Sequence, residues 1–314
     1  METTPLRSSS RLWISALLAL VCWGAGSSLG QDRPVTKADY PIGCAVGRQG
    51  AIYVLDQGGP YEDPAIFRLD PGDKIAVVYR GSKESMTSLF RPKALVEGPT
   101  GDLFVCDPAA GDVWRLSADG KTATPLTGEL METGTAASPQ NRYHGELWVP
   151  LAITLDGEGN PVVADFGRDG IWRVPATGGA PQEIASVPGA LGVAREEDGG
   201  FIVLSAGKDQ LVRVAPDGKV TPVVSGPLAG KDIVSSPQQV AVAPTGYLVS
   251  DNYARTIWHV TRDGQVKPLA QGDPLQKPNG IAVLADGSAL VADPGAKALF
   301  RVSPEGTIST LRSF

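Results

Sequence analysis

The chain of 314 residues has room for about two ordinary domains or for one large all-β domain. It contains 38 Gly and 26 Pro, which indicates many turns, and its 42% of hydrophobic residues can fill a sizeable core. A formal net charge of −6 without a basic stripe argues against a nucleic-acid partner and against a polybasic membrane patch. With only 2 His and 3 Cys, the sequence excludes most transition-metal sites built from these residues.

The first thirty residues predict a secretory signal peptide. Two arginines precede an apolar run at residues 12–23, and small residues follow this run. The run is too short for a membrane-spanning helix, which needs about twenty residues. We expect cleavage after Gly30, so that residues 31–314 are secreted or periplasmic and keep no membrane span.

A two-part pattern recurs six times in the remaining chain. Its first part spans fifteen residues from Pro to Asp, as in Pro41 to Asp56, with substitutions in the fourth copy and one residue fewer in the fifth. Its second part is an apolar segment that carries one basic residue per copy: Arg68, Arg115, Arg173, Arg213, His259 and Arg301. Repeats of this length are typical of propeller blades or solenoids.

Each copy has the pattern of four short strands. Apolar runs flank turn pairs such as Asp286-Gly287, and a second turn separates the third strand from a Thr/Val-rich fourth. Four-strand units repeated at about forty residues are typical of β-propellers. We therefore predict a single all-β domain at residues 31–314, a six-bladed β-propeller with four antiparallel strands per blade. Its repeats lie at about 40–81, 91–127, 149–186, 189–226, 236–272 and 277–314.

The segment PNGIAVLADGSALVAD at residues 278–293 resembles the NHL repeat and the gluconolactonase-like (senescence marker protein) propellers. The resemblance covers about residues 40–314 and implies the fold, whereas such propellers include both scaffolds and enzymes. In gluconolactonase-like proteins a divalent metal is held at the channel mouth by carboxylate and Asn side chains, and such oxygen ligands suit Ca²⁺. Asn279 matches the family's Asn and is the metal candidate.

The other five blades depart from this ligand pattern. The positions equivalent to Asn279 are Ile42, Lys93, Leu151, Leu191 and Gln238, and no Glu stands in the first blade. The resemblance therefore implies at most a single divalent cation, and no cofactor follows from the residues themselves. A zinc lyase with several histidine ligands is excluded, because His144 is the only histidine outside the repeated pattern.

Residues that recur in every blade are interpreted as structural. The repeated Asp can form a carboxylate ring around a cation, but we favour an Asp that accepts backbone N–H groups of nearby turns. We interpret the repeated Arg/His position, with His259 as a donor, and the recurring Trp position as structural too. The recurring residues other than Arg and His are Asp56, Asp107, Asp165, Asp251, Asp293, Trp114, Trp172 and Trp258.

Two insertions break the symmetry, at residues 57–63 and 128–148. In a four-stranded antiparallel blade both fall on the face where the first strands begin, and long loops on a rigid scaffold often carry function. His144, in the larger insertion, can titrate near neutral pH. The binding candidates on this face are Tyr61, Glu62, Lys93, Arg142, Tyr143, His144, Glu146, Arg168, Lys208, Asn252, Tyr253 and Arg255.

Three functions are compatible with this pattern. The leading hypothesis is a non-catalytic propeller that binds a small molecule, glycan or protein through the face with the insertions. The alternative is a metal-dependent lactonase or ester hydrolase centred on Asn279, and the third is a purely structural module. No residue can be assigned as catalytic from the sequence.

The two cysteines left after signal removal are predicted to be free. In the repeat alignment Cys44 and Cys106 point the same way from successive blades, about 10 Å apart. A disulfide needs Cα atoms within about 7 Å. We therefore expect two buried thiols.

Overall fold

A computed structural model describes residues 37–59, 62–70, 74–82, 88–128, 145–206, 210–224 and 236–314. Within these ranges the chain forms 24 strands in six four-stranded antiparallel sheets, each made of four consecutive strands. The helical structure in these ranges is limited to a 3-10 turn at Arg48–Gly50. The predicted six-bladed propeller is therefore confirmed.

The blades follow one another along the chain. Blade 1 contains β1 (Pro41–Val46), β2 (Ile52–Asp56), β3 (Ala65–Asp70) and β4 (Lys74–Arg80). Blade 2 contains β5 (Ala94–Glu97), β6 (Leu103–Asp107), β7 (Asp112–Leu116) and β8 (Ala123–Pro125). Blade 3 contains β9 (Pro150–Leu155), β10 (Pro161–Asp165), β11 (Gly170–Arg173) and β12 (Gln182–Ser186).

The second half of the ring repeats this arrangement. Blade 4 contains β13 (Ala190–Arg195), β14 (Phe201–Ser205), β15 (Gln210–Val214) and β16 (Val220–Val224). Blade 5 contains β17 (Pro237–Ala243), β18 (Gly246–Asp251), β19 (Thr256–Val260) and β20 (Val266–Gln271). Blade 6 contains β21 (Gly280–Val283), β22 (Ala289–Asp293), β23 (Ala298–Val302) and β24 (Ile308–Ser313).

Position within a blade determines burial. The first strands contact the first strands of neighbouring blades and so line the central channel. The second strands β6, β10, β14, β18 and β22 are buried along their whole length, because each lies between two neighbouring sheets. Strands buried on both faces have continuous apolar runs rather than alternation, as the second strands do here.

The first strands approach each other closely, and this explains the glycine of the PNG motif. A Cβ atom at Gly280 would lie 2.6 Å from the Cα atom of Gly43 and 2.9 Å from the backbone nitrogen of Cys44. At Gly192 it would lie 3.1 Å from the backbone nitrogen of Val240. Glycine is needed at Gly280 because backbone, which cannot move aside like a side chain, occupies the space.

The ring closes by side-chain packing between blade 6 and blade 1. In the part of the chain that the structure describes, no strand is shared between the two blades. Their seam is a buried apolar cluster, and the rings of Phe67 and Phe314 lie 6.2 Å apart there. The buried members of this cluster are Ala38, Cys44, Val54, Ala65, Phe67, Leu290, Ala292 and Leu299.

The structural interpretation of the repeated Asp is confirmed. Asp165 accepts hydrogen bonds from the backbone nitrogens of Trp148 (2.9 Å), Val149 (2.8 Å) and Gly167 (3.0 Å). It thereby ties the connection that enters its blade to the loop between the second and third strands. Asp56, Asp107 and Asp293 make the same kind of contacts.

The repeated Arg position is structural as well. In four blades the Arg of the third strand pairs with a carboxylate near the turn between the first two strands, as Arg173 Nε does with Asp156 Oδ2 at 2.8 Å. In blade 5, His259 Nε2 lies 2.9 Å from Thr245 Oγ1 in the equivalent place. His259 is therefore a buried structural side chain.

Both described cysteines are buried and free, as predicted, but their expected orientation was wrong. The thiol of Cys44 faces blade 6, with Sγ 3.6 Å from the backbone oxygen of Leu290, whereas Cys106 packs in the cluster between blades 2 and 3. The alignment placed them at the positions of Ile281 and Ala292, which lie on adjacent rungs and so on opposite sides of the sheet. The two thiols therefore point away from each other.

The predicted signal peptide lies outside the described residues. None of the described helical structure has the length and apolar character needed to span a membrane.

Candidate functional site at the channel mouth

The interblade-loop face is the end of the ring where first strands begin and second strands end. Antiparallel order puts the connections between blades and the loops between second and third strands on this face. Lys93 and Asn279 directly precede first strands, and Glu146 lies in the connection from blade 2 to blade 3. The candidates in loops between second and third strands are Glu62, Arg168, Asn252, Tyr253 and Arg255. Tyr61, Arg142, Tyr143, His144 and Lys208 lie outside the described residues.

Three polar side chains from different blades meet at the channel mouth. Lys93 Nζ of blade 2 donates to Asn279 Oδ1 of blade 6 (2.9 Å) and to Gln238 Oε1 of blade 5 (3.4 Å). Asn279 Nδ2 in turn donates to Gln238 Oε1 at 3.0 Å. Asn279 is only 4% exposed, while Lys93 and Gln238 are half-buried. We call these three residues the channel-mouth cluster.

The rest of this ring of equivalent positions is aliphatic. Ile42 is buried, and Leu151 and Leu191, from the adjacent blades 3 and 4, are half-buried. Blades 3 and 4 therefore form an apolar sector, and Lys93, which stands between aliphatic residues in the ring, reaches across the channel to the polar residues of blades 5 and 6. The sequence alignment already placed Gln238 at a position equivalent to Asn279, but its role as a partner of Lys93 and Asn279 follows only from the structure.

The charge of the cluster is not neutralised by a carboxylate within the described residues. Among the described residues Lys93 forms no ion pair with Asp or Glu, and its hydrogen-bond partners are two amide oxygens. Burial lowers the pKa of Lys93 to about 8, and the nearby Cys106 thiol opposes this only in part. The ammonium is thus costly to hold here without an anion.

The donor set does not fit a divalent cation. Asn279 Oδ1, the oxygen that would ligate a metal, accepts the Lys93 ammonium instead. The equivalent ring positions contain no carboxylate, and no three His, Cys, Asp or Glu side chains cluster as metal ligands among the described residues. An ammonium at 2.9 Å from the candidate ligand would also repel a cation.

Three exposed aromatic side chains lie on the interblade-loop face, at blades 1, 3 and 5. Tyr40 is 37% exposed, Trp148 64% and Tyr253 78%. Tyr40 precedes β1, Trp148 lies two residues before β9, and Tyr253 is in the loop after β18. Among the described residues the other large exposed hydrophobic side chain is Val220, at the opposite end of blade 4. Tyr40 was not a candidate from the sequence, and Trp148 was covered only as the last residue of the larger insertion.

Arg168 and Glu146 hold a connection in place. Arg168 Nη1 donates to the backbone oxygen of Glu146 at 2.7 Å, and its guanidinium lies over the Trp172 ring, 3.5 Å from the centroid. The Glu146 side chain is exposed. The structure therefore brings these two candidates together, with Arg168 as a positioning side chain beside Trp148.

Arg255 has a comparable role in blade 5. Its Nε donates to the backbone oxygen of Leu275 at 2.7 Å, and its guanidinium pairs with Asp273. The backbone nitrogen of Asn252 donates to the backbone oxygen of Ser236 at 3.2 Å. These contacts fix the loop that presents Tyr253, and neither Arg255 nor Asn252 belongs to the channel-mouth cluster.

Comparisons with known proteins support the fold. No family model matches the sequence, and no curated protein matches it. A gluconolactonase from Xanthomonas campestris is similar in structure, with a TM-score of 0.62 and 15% identity over 88% of each chain. Virginiamycin B lyase from Staphylococcus aureus gives a TM-score of 0.61 and 15% identity over 88% of this chain and 85% of its own. At these identities the expected likeness to gluconolactonase-like propellers is confirmed as a likeness of fold.

Proposed function

We propose that this protein is an exported propeller that binds a small molecule or glycan through its interblade-loop face. The observation that carries the proposal is that Tyr40, Trp148 and Tyr253, at blades 1, 3 and 5, are all exposed on the face that also holds the channel-mouth cluster. Export is part of the proposal and is supported by the signal-peptide pattern of residues 1–30.

Exposed aromatic side chains favour ligand binding for a physical reason. Tyr and Trp offer large, rigid, amphipathic contact surfaces, and they lose little conformational entropy when a ligand covers them. Trp148 is held on a segment that Asp165 fixes through the backbone nitrogens of Trp148 and Val149. A prearranged aromatic side chain of this kind lowers the cost of binding.

A metal-dependent lactonase or ester hydrolase is the second candidate. It is favoured by the PNG-type Asn279 at the channel mouth and by the fold shared with proteins described as a gluconolactonase and a putative gluconolactonase. The Lys93 ammonium on Asn279 counts against it. We therefore rank ligand binding first.

A ligand screen on the purified protein tests this choice. Neutral oligosaccharides, sugar acids and aromatic carboxylates are screened by ligand-observed NMR against the wild type, Trp148→Ala and Tyr253→Ala, with Val220→Ala as the control on the opposite face. We expect ligands that bind the wild type and Val220→Ala and bind the two aromatic variants weakly. Neutral oligosaccharides that bind all four proteins equally would contradict the role of the exposed aromatic side chains. Turnover of lactones or esters that requires added Ca²⁺ would favour the hydrolase.

A further inference from the structure

The amide of Gln238 has a fixed orientation. Its Nε2 donates to the backbone oxygen of Ser236 at 3.1 Å and to Ser236 Oγ at 2.9 Å. A backbone carbonyl can only accept a hydrogen bond, so the amide nitrogen of Gln238 must face it. Gln238 Oε1 therefore points towards Asn279 and Lys93.

The orientation of Asn279 follows from that of Gln238. Because Gln238 Oε1 is an acceptor, the Asn279 amide must present Nδ2 to it, and Asn279 Oδ1 then accepts from Lys93. Both amide oxygens of the channel-mouth cluster are thus used inside the cluster. The Ser236 carbonyl thus fixes the orientation of both amides.

The donors of the cluster are not all used. An ammonium has three N–H groups, of which Lys93 directs two to amide oxygens, and the Asn279 amide has two, of which one goes to Gln238. One N–H on Lys93 and one on Asn279 therefore have no partner among the described residues. The cluster offers one positive charge and two donors, against a single remaining lone pair on Asn279 Oδ1, and such a positively charged, donor-rich set favours a carboxylate.

We propose that the channel mouth binds the carboxylate group of a small organic acid, held by the Lys93 ammonium and the Asn279 amide, at the position where gluconolactonase-like propellers are expected to hold a metal. The aliphatic sector of Leu151 and Leu191 packs against the carbon skeleton of the acid. One ammonium suits one negative charge, and the planar carboxylate has two oxygens for the two donors. This inference rests on the proposed binding function and specifies its ligand class.

The test uses protein labelled with [¹³C]lysine and three probes: benzoate, inorganic phosphate and Ca²⁺. The Lys93 signal is assigned as the one missing from Lys93→Met. A bound carboxylate stabilises the ammonium, so benzoate should raise the pH at which this signal titrates, which is about 8 without probe. A cation at the same place would lower it, and Ca²⁺ is expected to have no effect.

Two variants make the test specific. Lys93→Met removes the charge, and the nearly isosteric Asn279→Asp supplies an internal carboxylate to Lys93 that competes with the probe. We expect benzoate to bind each variant about ten- to hundredfold more weakly than the wild type, as for loss of a charge-assisted hydrogen bond. In Asn279→Asp the Lys93 signal should titrate at higher pH even without benzoate.

The outcomes separate this inference from the proposed function. Benzoate that leaves the Lys93 titration unchanged, or that binds Lys93→Met as well as the wild type, overturns the carboxylate site. Preferential binding of phosphate, or a Ca²⁺-induced lowering of the titration, overturns it too. If a neutral oligosaccharide still binds in a Trp148-dependent way, only the carboxylate inference fails. Absence of any ligand for the face contradicts both.

Discussion

The ring of Phe314, the last residue of the chain, lies 6.2 Å from the ring of Phe67 in blade 1. This contact belongs to the seam where blade 6 meets blade 1. Unlike the other neighbouring blades, blades 6 and 1 are not consecutive in the chain, and no described strand is shared across their seam, so its strength depends on side-chain packing. The seam is therefore the place in the ring where a lost side chain should allow local opening.

Leu299→Ala should open this seam selectively. Leu299 is fully buried there, so the truncation should lower the free energy of unfolding by about 2–5 kcal/mol. Leu211→Ala, at the fully buried interface of blades 4 and 5, is the matched control with a comparable loss. Cys44 lies at the blade 6–blade 1 seam and Cys106 between blades 2 and 3, so alkylation and peptide mapping report where opening occurs.

We expect faster alkylation of Cys44 than of Cys106 in Leu299→Ala and no such difference in Leu211→Ala. Equal acceleration at both thiols in Leu299→Ala would mean that the ring unfolds as one unit.

Gly280→Ala tests the close approach of the first strands. Its Cβ atom would meet backbone atoms of Gly43 and Cys44 at less than 3 Å, so blade 6 must shift away from blade 1. We expect a loss of about 1–3 kcal/mol in the free energy of unfolding, measured by urea denaturation. Gly157→Ala is the control, because its Cβ would meet only the mobile end of the Arg195 side chain, at 3.2 Å. Equal stabilities of the two variants would show that the strands adjust freely.

The fold could be predicted from the sequence because each blade repeats the same strand pattern and the same local contacts. The repeated Asp165-type carboxylate and the Arg173-type cation make local contacts within or next to their own blade, so their spacing is preserved in the chain. Closure could not be predicted in this way, since the contact of Phe67 with Phe314 depends on which residues come together around the ring.

The candidate site was predicted only in part. The ring of equivalent positions identified Lys93 and Asn279 as neighbours of the channel, but the two stood there as separate candidates for ligand and metal binding. Their hydrogen bond joins blades far apart in sequence, and the Asn279 amide that accepts it is oriented by Ser236 through Gln238. The prediction that Cys44 and Cys106 point the same way was wrong because their aligned positions differ by one rung. A shift of one rung reverses the direction of a strand side chain.

Arg173→Met should lower the free energy of unfolding above about pH 4 and leave it nearly unchanged in stronger acid. Burial tends to raise the pKa of Asp156, but hydrogen bonds from Asn160 and Arg173 outweigh it and hold this pKa below its ordinary value. The stabilisation is therefore present above the pKa of the unfolded chain, about 3.9, and is lost as pH falls through the folded pKa. At pH 7 we expect a loss of about 1 kcal/mol in denaturation experiments.

The control for this variant is Lys121→Met, because Lys121 pairs with Asp119 and both side chains are exposed. No measurable change is expected there. A loss in Arg173→Met that persists unchanged at pH 2 would assign the effect to packing of the Arg stem instead of the ion pair.

Lys93→Met should alter the alkaline dependence of stability. Burial lowers the pKa of Lys93 from about 10.5 to about 8, so between these values the unfolded chain binds more protons than the folded protein. The contribution of Lys93 to stability therefore rises with pH across this window, by up to about 3 kcal/mol at 1.36 kcal/mol per pKa unit. Urea denaturation at several pH values should show the wild type gaining stability relative to Lys93→Met from pH 8 to 10.5.

The comparison must be made between the two proteins, because burial raises the pKa of Cys44 and of Cys106 to about 12. These thiols keep their protons longer in the folded state, so they make stability fall with pH above about 9 and oppose the effect of Lys93. The contribution of Cys44 cancels in the difference, and that of Cys106 cancels apart from its coupling to Lys93, whose charge lowers the pKa of this thiol. Lys74→Met, at an exposed position of β4, serves as the control substitution. A difference that stays constant from pH 8 to 10.5 would show that the Lys93 ammonium is not desolvated, and the need for an anionic partner at the channel mouth would disappear with it.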